Sequence, residues 1–193
     1  MVEREGQWAE ASPLPGFSDE SLDDVMRDLR QGAATVPSLR FALTSLERPI
    51  SRLDVPINAL LDYREAQAQA ERISHTPIAA VKLKVGRRAL RDDVSLVRSI
   101  RQILRDDQQL RLDANRAWSF QQACDFGKQL QDLAVAYIEE PIDVPARLEE
   151  FLDITRMPYA LDESLAENLD LHQFPNASAF VFKPTLLGGR ERL

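Results

Sequence analysis

The chain has 193 residues, 44% hydrophobic and 28% charged, an ordinary globular composition with room for one large domain or one and a half. A formal charge of −7 argues against nucleic acid as a partner, which would require a basic stripe. The single cysteine, Cys124, excludes an internal disulfide and a thiolate metal site and suits a reducing cytoplasm. No apolar run reaches the ~18 residues of a membrane span, and the charged start from Met1 to Trp8 does not read as a signal peptide.

The first fifty residues differ from the rest. Gly6 to Ala11 is a short extended candidate, and the Ser12-Pro13-Leu14-Pro15-Gly16 run stops regular structure. Ser18 is read as the N-cap of a helix from Asp19 to Leu29, with acids in its first turn and Gly32 ending it. Pro37 and Ser38 open a second helix, Leu39 to Leu46, ahead of Pro49.

From Asp54 the chain alternates. Apolar runs predict strands at Val55–Leu61, Ala79–Val85, Gln109–Asp113, Val135–Glu139, Tyr159–Asp162 and Ala179–Lys183. Helical periodicity falls between them, at Tyr63–Ser74, Arg91–Arg105, Ser119–Asp132, Ala146–Thr155 and Leu165–Leu171. Such alternation predicts βαβ units and a parallel sheet. No Gly-x-Gly-x-x-Gly follows any strand, which disfavours a dinucleotide-binding fold and leaves a (β/α) barrel, whose chemistry sits at the C-terminal strand ends.

Those ends are charged. Lys82-Leu83-Lys84, Asp113-Ala114-Asn115, Glu139-Glu140-Pro141, Asp162-Glu163-Ser164 and Lys183-Pro184 close five successive strands. A charge that closes an apolar strand is costly unless it is paired or holds a metal. Convergence of Asp113, Glu139 and Asp162 would make an all-oxygen site suited to Mg²⁺, with a lysine on either side. Two such bases across a metal that grips a carboxylate can move a proton α to that carboxylate. Lys82 and Lys84 share a strand face, so the like charge of Lys82 would ease deprotonation of Lys84. Arg111 stands in the same relation to Asp113 and is expected to point inward, toward a substrate carboxylate or the ligands.

Each residue alone has a duller reading: Lys-x-Lys as a solvated edge, Asp162 as a helix cap, Glu139-Glu140-Pro141 as a charged loop. Five coincidences at five successive strand ends shift the balance toward chemistry. His75 and His172 have no companions that suggest a metal or a triad. Cys124 reads as a small residue on a helix face, and Trp118 as packing at the barrel mouth.

The Lys-x-Lys, Asp-x-Asn, Glu-Glu-Pro, Asp-Glu-Ser and Lys-Pro series resembles the enolase superfamily, muconate-lactonising subgroup. The run from Leu110 to Trp118, Ala160 to Leu165 and Phe182 to Leu186 is similar to the o-succinylbenzoate synthases in particular, and Ala9 to Ser18 resembles that family's capping domain. The resemblance implies a (β/α)7β TIM-like barrel of α/β class, about six strands of it present in 51–193, with a partial α+β capping domain in 1–50. It implies that Asp113, Glu139 and Asp162 bind Mg²⁺, with Mn²⁺ as a substitute. Glu139 is preferred to Glu140 because superfamily members often carry Gln at the second position.

By the same resemblance Lys84 removes the α-proton and Lys183, opposite, stabilises the enediolate, while Lys82, Arg111 and Asn115 support the substrate or the ligands. The implied reaction dehydrates 2-succinyl-6-hydroxy-2,4-cyclohexadiene-1-carboxylate to 2-succinylbenzoate in menaquinone biosynthesis, on a small carboxylate substrate in the cytoplasm. A barrel takes about 250 residues, so the chain reads as truncated at both ends. Dipeptide epimerisation or muconate cycloisomerisation would use the same five residues. A Schiff-base aldolase built on Lys183 would leave the carboxylates unexplained, and an inactive remnant would bind no Mg²⁺. Oligomeric state is not legible.

Overall fold

A two-residue turn sets the first element. In the computed structural model, which describes residues 1–47, 54–167 and 169–189, Glu5 and Gly6 both take positive φ, 54° and 80°. That conformation matches the twist of a tight hairpin, and β1 (Val2–Arg4) pairs antiparallel with β2 (Gln7–Ala9).

Helix α1 (Leu22–Gln31) is capped by Ser21, three residues after the expected Ser18. The Ser21 hydroxyl accepts from the Asp24 N–H while the Asp24 carboxylate accepts from the Ser21 N–H. This reciprocal box decides the start of the helix; Ser18 is occupied instead in accepting the Leu14 N–H. Gly32, at φ 65°, ends the helix as expected. Helix α2 spans Pro37–Leu46. Val2, Ala11, Val25, Leu39, Ala42 and Leu46 are buried together as the core of this unit.

The chain forms two compact units, the first drawing on 1–53 and 182–193, the second on 54–181. The domain boundary expected between 50 and 51 falls outside the described residues. The second unit is a parallel sheet of six strands in unbroken order: β3 (Asn58–Leu61), β4 (Ala80–Lys84), β5 (Gln109–Asp113), β6 (Tyr137–Glu139), β7 (Tyr159–Leu161) and β8 (Ala179–Phe180). Helices α3 (Ala66–Ser74), α4 (Leu90–Ile103), α5 (Phe120–Lys128) and α6 (Leu148–Thr155) connect them. An order that never reverses has no dinucleotide-type switch point; it is the singly wound order of a TIM-like barrel, here with six strands. One face of the sheet carries the core, with Val81, Leu83, Leu110, Leu112, Ile138 and Leu161 at 0% exposure against the helices.

The differences from expectation have local causes. Pro56 has no N–H for a ladder, and β3 begins only at Asn58. After β7 the expected helix Leu165–Leu171 is replaced by short 3₁₀ turns, Glu163–Glu167 and Leu171–Gln173. The last strand is two residues long rather than five. Beyond it Pro184 starts an unexpected one-turn helix, α7 (Pro184–Leu187), within the first unit. Its tight end at Gly188 packs on α2: a Cβ there would meet the Arg40 side chain at 2.8 Å and Pro37 Cα at 3.1 Å.

Candidate active site

The strand register places the site. Lys84 is level with Asp113 on β5, and Asp113 is level with Glu139 on β6. Lys82 lies one layer below, level with Arg111, and Arg111 with Tyr137. Side chains two apart share a face, so both lysines and both acids project from the side opposite Leu83, Leu112 and Ile138.

Lys82 draws the acids together. Its ammonium lies 2.8 and 2.9 Å from the two Glu139 oxygens and 2.9 Å from Asp113 Oδ2, with Asp113 2% and Glu139 1% exposed. Lys84 Nζ donates to Asp113 Oδ2 at 3.1 Å and to Asn115 Oδ1. Asn115 is fixed in turn: its N–H donates to Asp113 Oδ1 at 3.1 Å and its Nδ2 to Glu163 Oε1 at 2.9 Å. The other Glu163 oxygen is buried without a hydrogen-bond partner.

Burial raises the Glu139 pKa to about 7, with the Asp113 and Asp162 charges acting the same way against the Lys82 hydrogen bond. Burial works to lower the Lys82 pKa, but the hydrogen bonds to Glu139 and Asp113 outweigh it and hold that ammonium above its ordinary value. Glu139 is therefore short of positive charge where it is buried, and Lys82 only partly offsets that.

Asp162 is 7% exposed at the next strand end, and its charge is felt at Glu139. Among the described residues, however, no three acidic, histidine or cysteine side chains stand close enough to form a ready metal cage. Asp113 and Glu139 are thus brought together on Lys82, with Asp162 nearby rather than in the same cluster. Arg111 turns away from the strand ends: it donates to Asn58 Oδ1 at 2.8 Å and Gln109 Oε1 at 3.0 Å, and lies 5.5 Å from the Tyr137 ring centroid. Lys183 belongs to the first unit, where its ammonium lies 5.2 Å from the Phe17 ring centroid.

A buried brace lies behind the acids, and the reading of the sequence missed it. Glu140 is fully buried, and its Oε1 accepts the N–H groups of Asp162 and Ser164, both at 2.8 Å. Its Oε2 accepts the Ser164 hydroxyl at 2.8 Å and Arg116 Nε at 3.2 Å. Four donors saturate this carboxylate, so Glu139 and not Glu140 faces the lysine. Asn115, Arg116 and Glu140 take φ of 44°, 59° and 42°. Three non-glycine residues in the left-handed region cluster at the ends of β5 and β6, the kind of strain that marks functional sites. The signal in the sequence was the acid doublet followed by proline, which carries no register of its own.

Trp118 is 5% exposed and stacks 4.3 Å from Phe126, so it packs as expected. His75 caps the end of α3 and His172 sits in a 3₁₀ turn. No helix among the described residues is long and apolar enough to cross a membrane.

Comparison with known proteins places these features in a group. Residues 64–186 match the model of a family described as "Enolase C-terminal domain-like". The chain is 32% identical over 216 residues to the o-succinylbenzoate synthase of Haemophilus influenzae; the match takes in 96% of this chain but only 64% of that relative's length. Among solved structures, the o-succinylbenzoate synthase of Thermosynechococcus elongatus BP-1, which holds Mg in its active site, superposes with a TM-score of 0.73 at 24% identity, covering 96% of this chain and 67% of that one. The L-Ala-D/L-Glu epimerase of Bacillus subtilis superposes with a TM-score of 0.78 at 20% identity, covering 94% and 64%. Likeness at this level of identity speaks for the fold and leaves the reaction open.

Proposed function

Because the chain belongs to the enolase C-terminal domain-like family, we propose that it supplies the acid/base and metal-ligating residues of an o-succinylbenzoate synthase. The observation that carries this reading is the strand-end cluster: Lys84 lies 3.1 Å from Asp113 Oδ2, beside an acid pair that Lys82 bridges. The substrate is 2-succinyl-6-hydroxy-2,4-cyclohexadiene-1-carboxylate, the product 2-succinylbenzoate, and the setting menaquinone biosynthesis in the cytoplasm.

The donor set fits Mg²⁺. Its groups are hard oxygens; burial, with the Asp113 and Asp162 charges added to it, pushes the Glu139 pKa to about 7, and a buried Glu163 oxygen has no hydrogen-bond partner. Asp113, Glu139 and Asp162 would hold the ion, with Mn²⁺ as a substitute. When bound, the metal would supply the Lewis acidity that stabilises negative charge on the substrate carboxylate.

Lys84 does the proton work. Asp113 and Asn115 fix its amine from one side, which orients the remaining lone pair or proton toward a substrate above the strand ends. The amine takes the proton α to the carboxylate. It returns that proton to the hydroxyl leaving the neighbouring carbon, so water departs and the ring becomes aromatic. Lys82 keeps the acid pair neutralised and in register. Lys183 is assigned the second positive charge of the reaction.

The test is product formation from this chain with Mg²⁺ and with EDTA, beside its Lys84→Ala and Lys183→Met forms. Metal-dependent 2-succinylbenzoate that falls about 10³-fold in Lys84→Ala is expected, within the usual range for loss of a positioned general base. Product that survives in Lys84→Ala would overturn the assignment. Turnover of dipeptides in place of the cyclohexadiene acid would move the reading to epimerisation.

A further inference from the structure

A cavity of about 430 Å³ opens at the ends of β3 and β4, and Lys84 forms part of its wall. Around it stand Arg64, Arg87, Tyr63, Asp62 and Gln69. Three of these six side chains are cationic and one is anionic. The anion is already engaged locally, since Asp62 Oδ1 accepts the Arg64 N–H at 2.9 Å. Arg64 is steadied by Tyr63, with Nε 3.2 Å from the phenol oxygen and the guanidinium 5.6 Å from the ring centroid. Arg87 is exposed and makes no hydrogen bond or ion pair among the described residues.

The strand order gives the cavity a direction. The acid pair sits on β5 and β6, Lys84 on β4, and the cavity beyond it at β3. Neighbouring strands are about 4.8 Å apart, so the cavity lies roughly 10 Å from the end of β5, on the far side of the lysine. A ligand whose first carboxylate lies over Asp113 and Glu139, with its acidic carbon at Lys84, has its other end directed into the cavity. That end meets a guanidinium whose planar fork suits a carboxylate.

We infer that this cavity receives the second carboxylate of a dicarboxylate substrate, and that Arg87 is the residue that selects for it. The inference rests on the proposed proton abstraction at Lys84 and adds where the second carboxylate of that diacid lies and a specificity-determining residue, Arg87, that recognises it. A monocarboxylate would leave Arg87 solvated and gain nothing from it.

Titration calorimetry of the chain with Mg²⁺ present separates the possibilities. The two probes are 2-succinylbenzoate and its mono-amide, in which the succinyl carboxylate is a neutral carboxamide. Wild type is expected to prefer the diacid by about tenfold, the worth of one charge-assisted contact. Arg87→Gln should lose that tenfold for the diacid and leave the mono-amide unchanged, with circular dichroism confirming an unaltered fold. Arg64→Gln, already held by Tyr63, should lose less. Equal binding of the two probes by wild type, or equal weakening of both in Arg87→Gln, would overturn the cavity assignment while leaving the proton abstraction standing. Binding of neither probe would overturn the proposed function and this inference together.

Discussion

Glu139 and Glu140 are adjacent, equally buried and chemically identical, yet they do opposite things. Glu139 meets a lysine and its charged neighbours. Glu140, turned by its positive φ, spends both oxygens on the Asp162 and Ser164 amides, the Ser164 hydroxyl and Arg116. Its truncation would leave two buried backbone N–H groups without an acceptor and take from Arg116 one of its two carboxylates, Glu167 being the other, so Glu140→Ala should cost about 3 kcal/mol, the usual penalty for breaking a buried charged network. Glu140→Gln keeps one oxygen for the two amides but sets an N–H₂ against Arg116, and should cost about half as much. Urea midpoints at constant slope measure both. A Glu140→Ala protein as stable as wild type would mean the brace holds nothing.

At the scale of elements, connections decide what the strands present. Gly86 follows the lysine strand at φ +81°, and a Cβ there would lie 2.6 Å from Ala117 Cβ. Its N–H donates to buried Asp93 at 2.7 Å, which ties the turn to the start of α4. Gly86→Ala therefore meets both a backbone penalty and a clash, and should cost at least about 2 kcal/mol. Thermal unfolding checks this, and a shift of less than a degree would argue against any constraint at the turn.

Helix α1 offers a pH test of its own. The Ser21 hydroxyl, then the Ser21 N–H and Arg27, lower the Asp24 pKa from 3.8 to about 2. Because the folded pKa is below the unfolded one, ionised Asp24 favours the folded state above pH 3.8. That gain is lost as the pH falls from 3.8 to about 2. Asp24→Asn should lower the melting temperature at pH 6 and converge on wild type near pH 2. A gap of the same size at both pH values would remove the carboxylate from the cap.

At the scale of the whole molecule, what could be read in advance follows from the physics of each signal. The parallel strands were legible because their core faces repeat every second residue, as in Val81 and Leu83 or Leu110 and Leu112. The charges that close them stood out against that pattern. Ser21 was missed because Ser18 also precedes an acidic run, and only the reciprocal bond with Asp24 distinguishes them. Arg111 shares its strand face with Asp113, as the sequence implied, but a long side chain can turn back, and Asn58 and Gln109 hold it there. The turns after β7 and the short α7 depend on contacts distant in sequence, which no local period encodes.

The two units differ sharply in what they bury, and stability should differ with them. Among the described residues, the second unit has an extended cluster running from Leu61 through Leu83, Leu112 and Ile138 to Phe174, while the buried cluster of the first holds six small or aliphatic residues. Opening free energy follows buried apolar contact, so amides of Leu39 and Ala42 should exchange hydrogen well before those of Leu83, Leu112 and Ile138. Cys124 supplies an independent clock inside the larger core. It is 3% exposed, and burial raises its thiol pKa, which keeps it protonated and unreactive. In rising urea, a thiol reagent should find Cys124 only where the sheet amides lose protection, after the amides of the first unit have already exchanged. Labelling of Cys124 in step with Leu39 and Ala42 would mean that both units open in one transition, with the larger core conferring no separate stability.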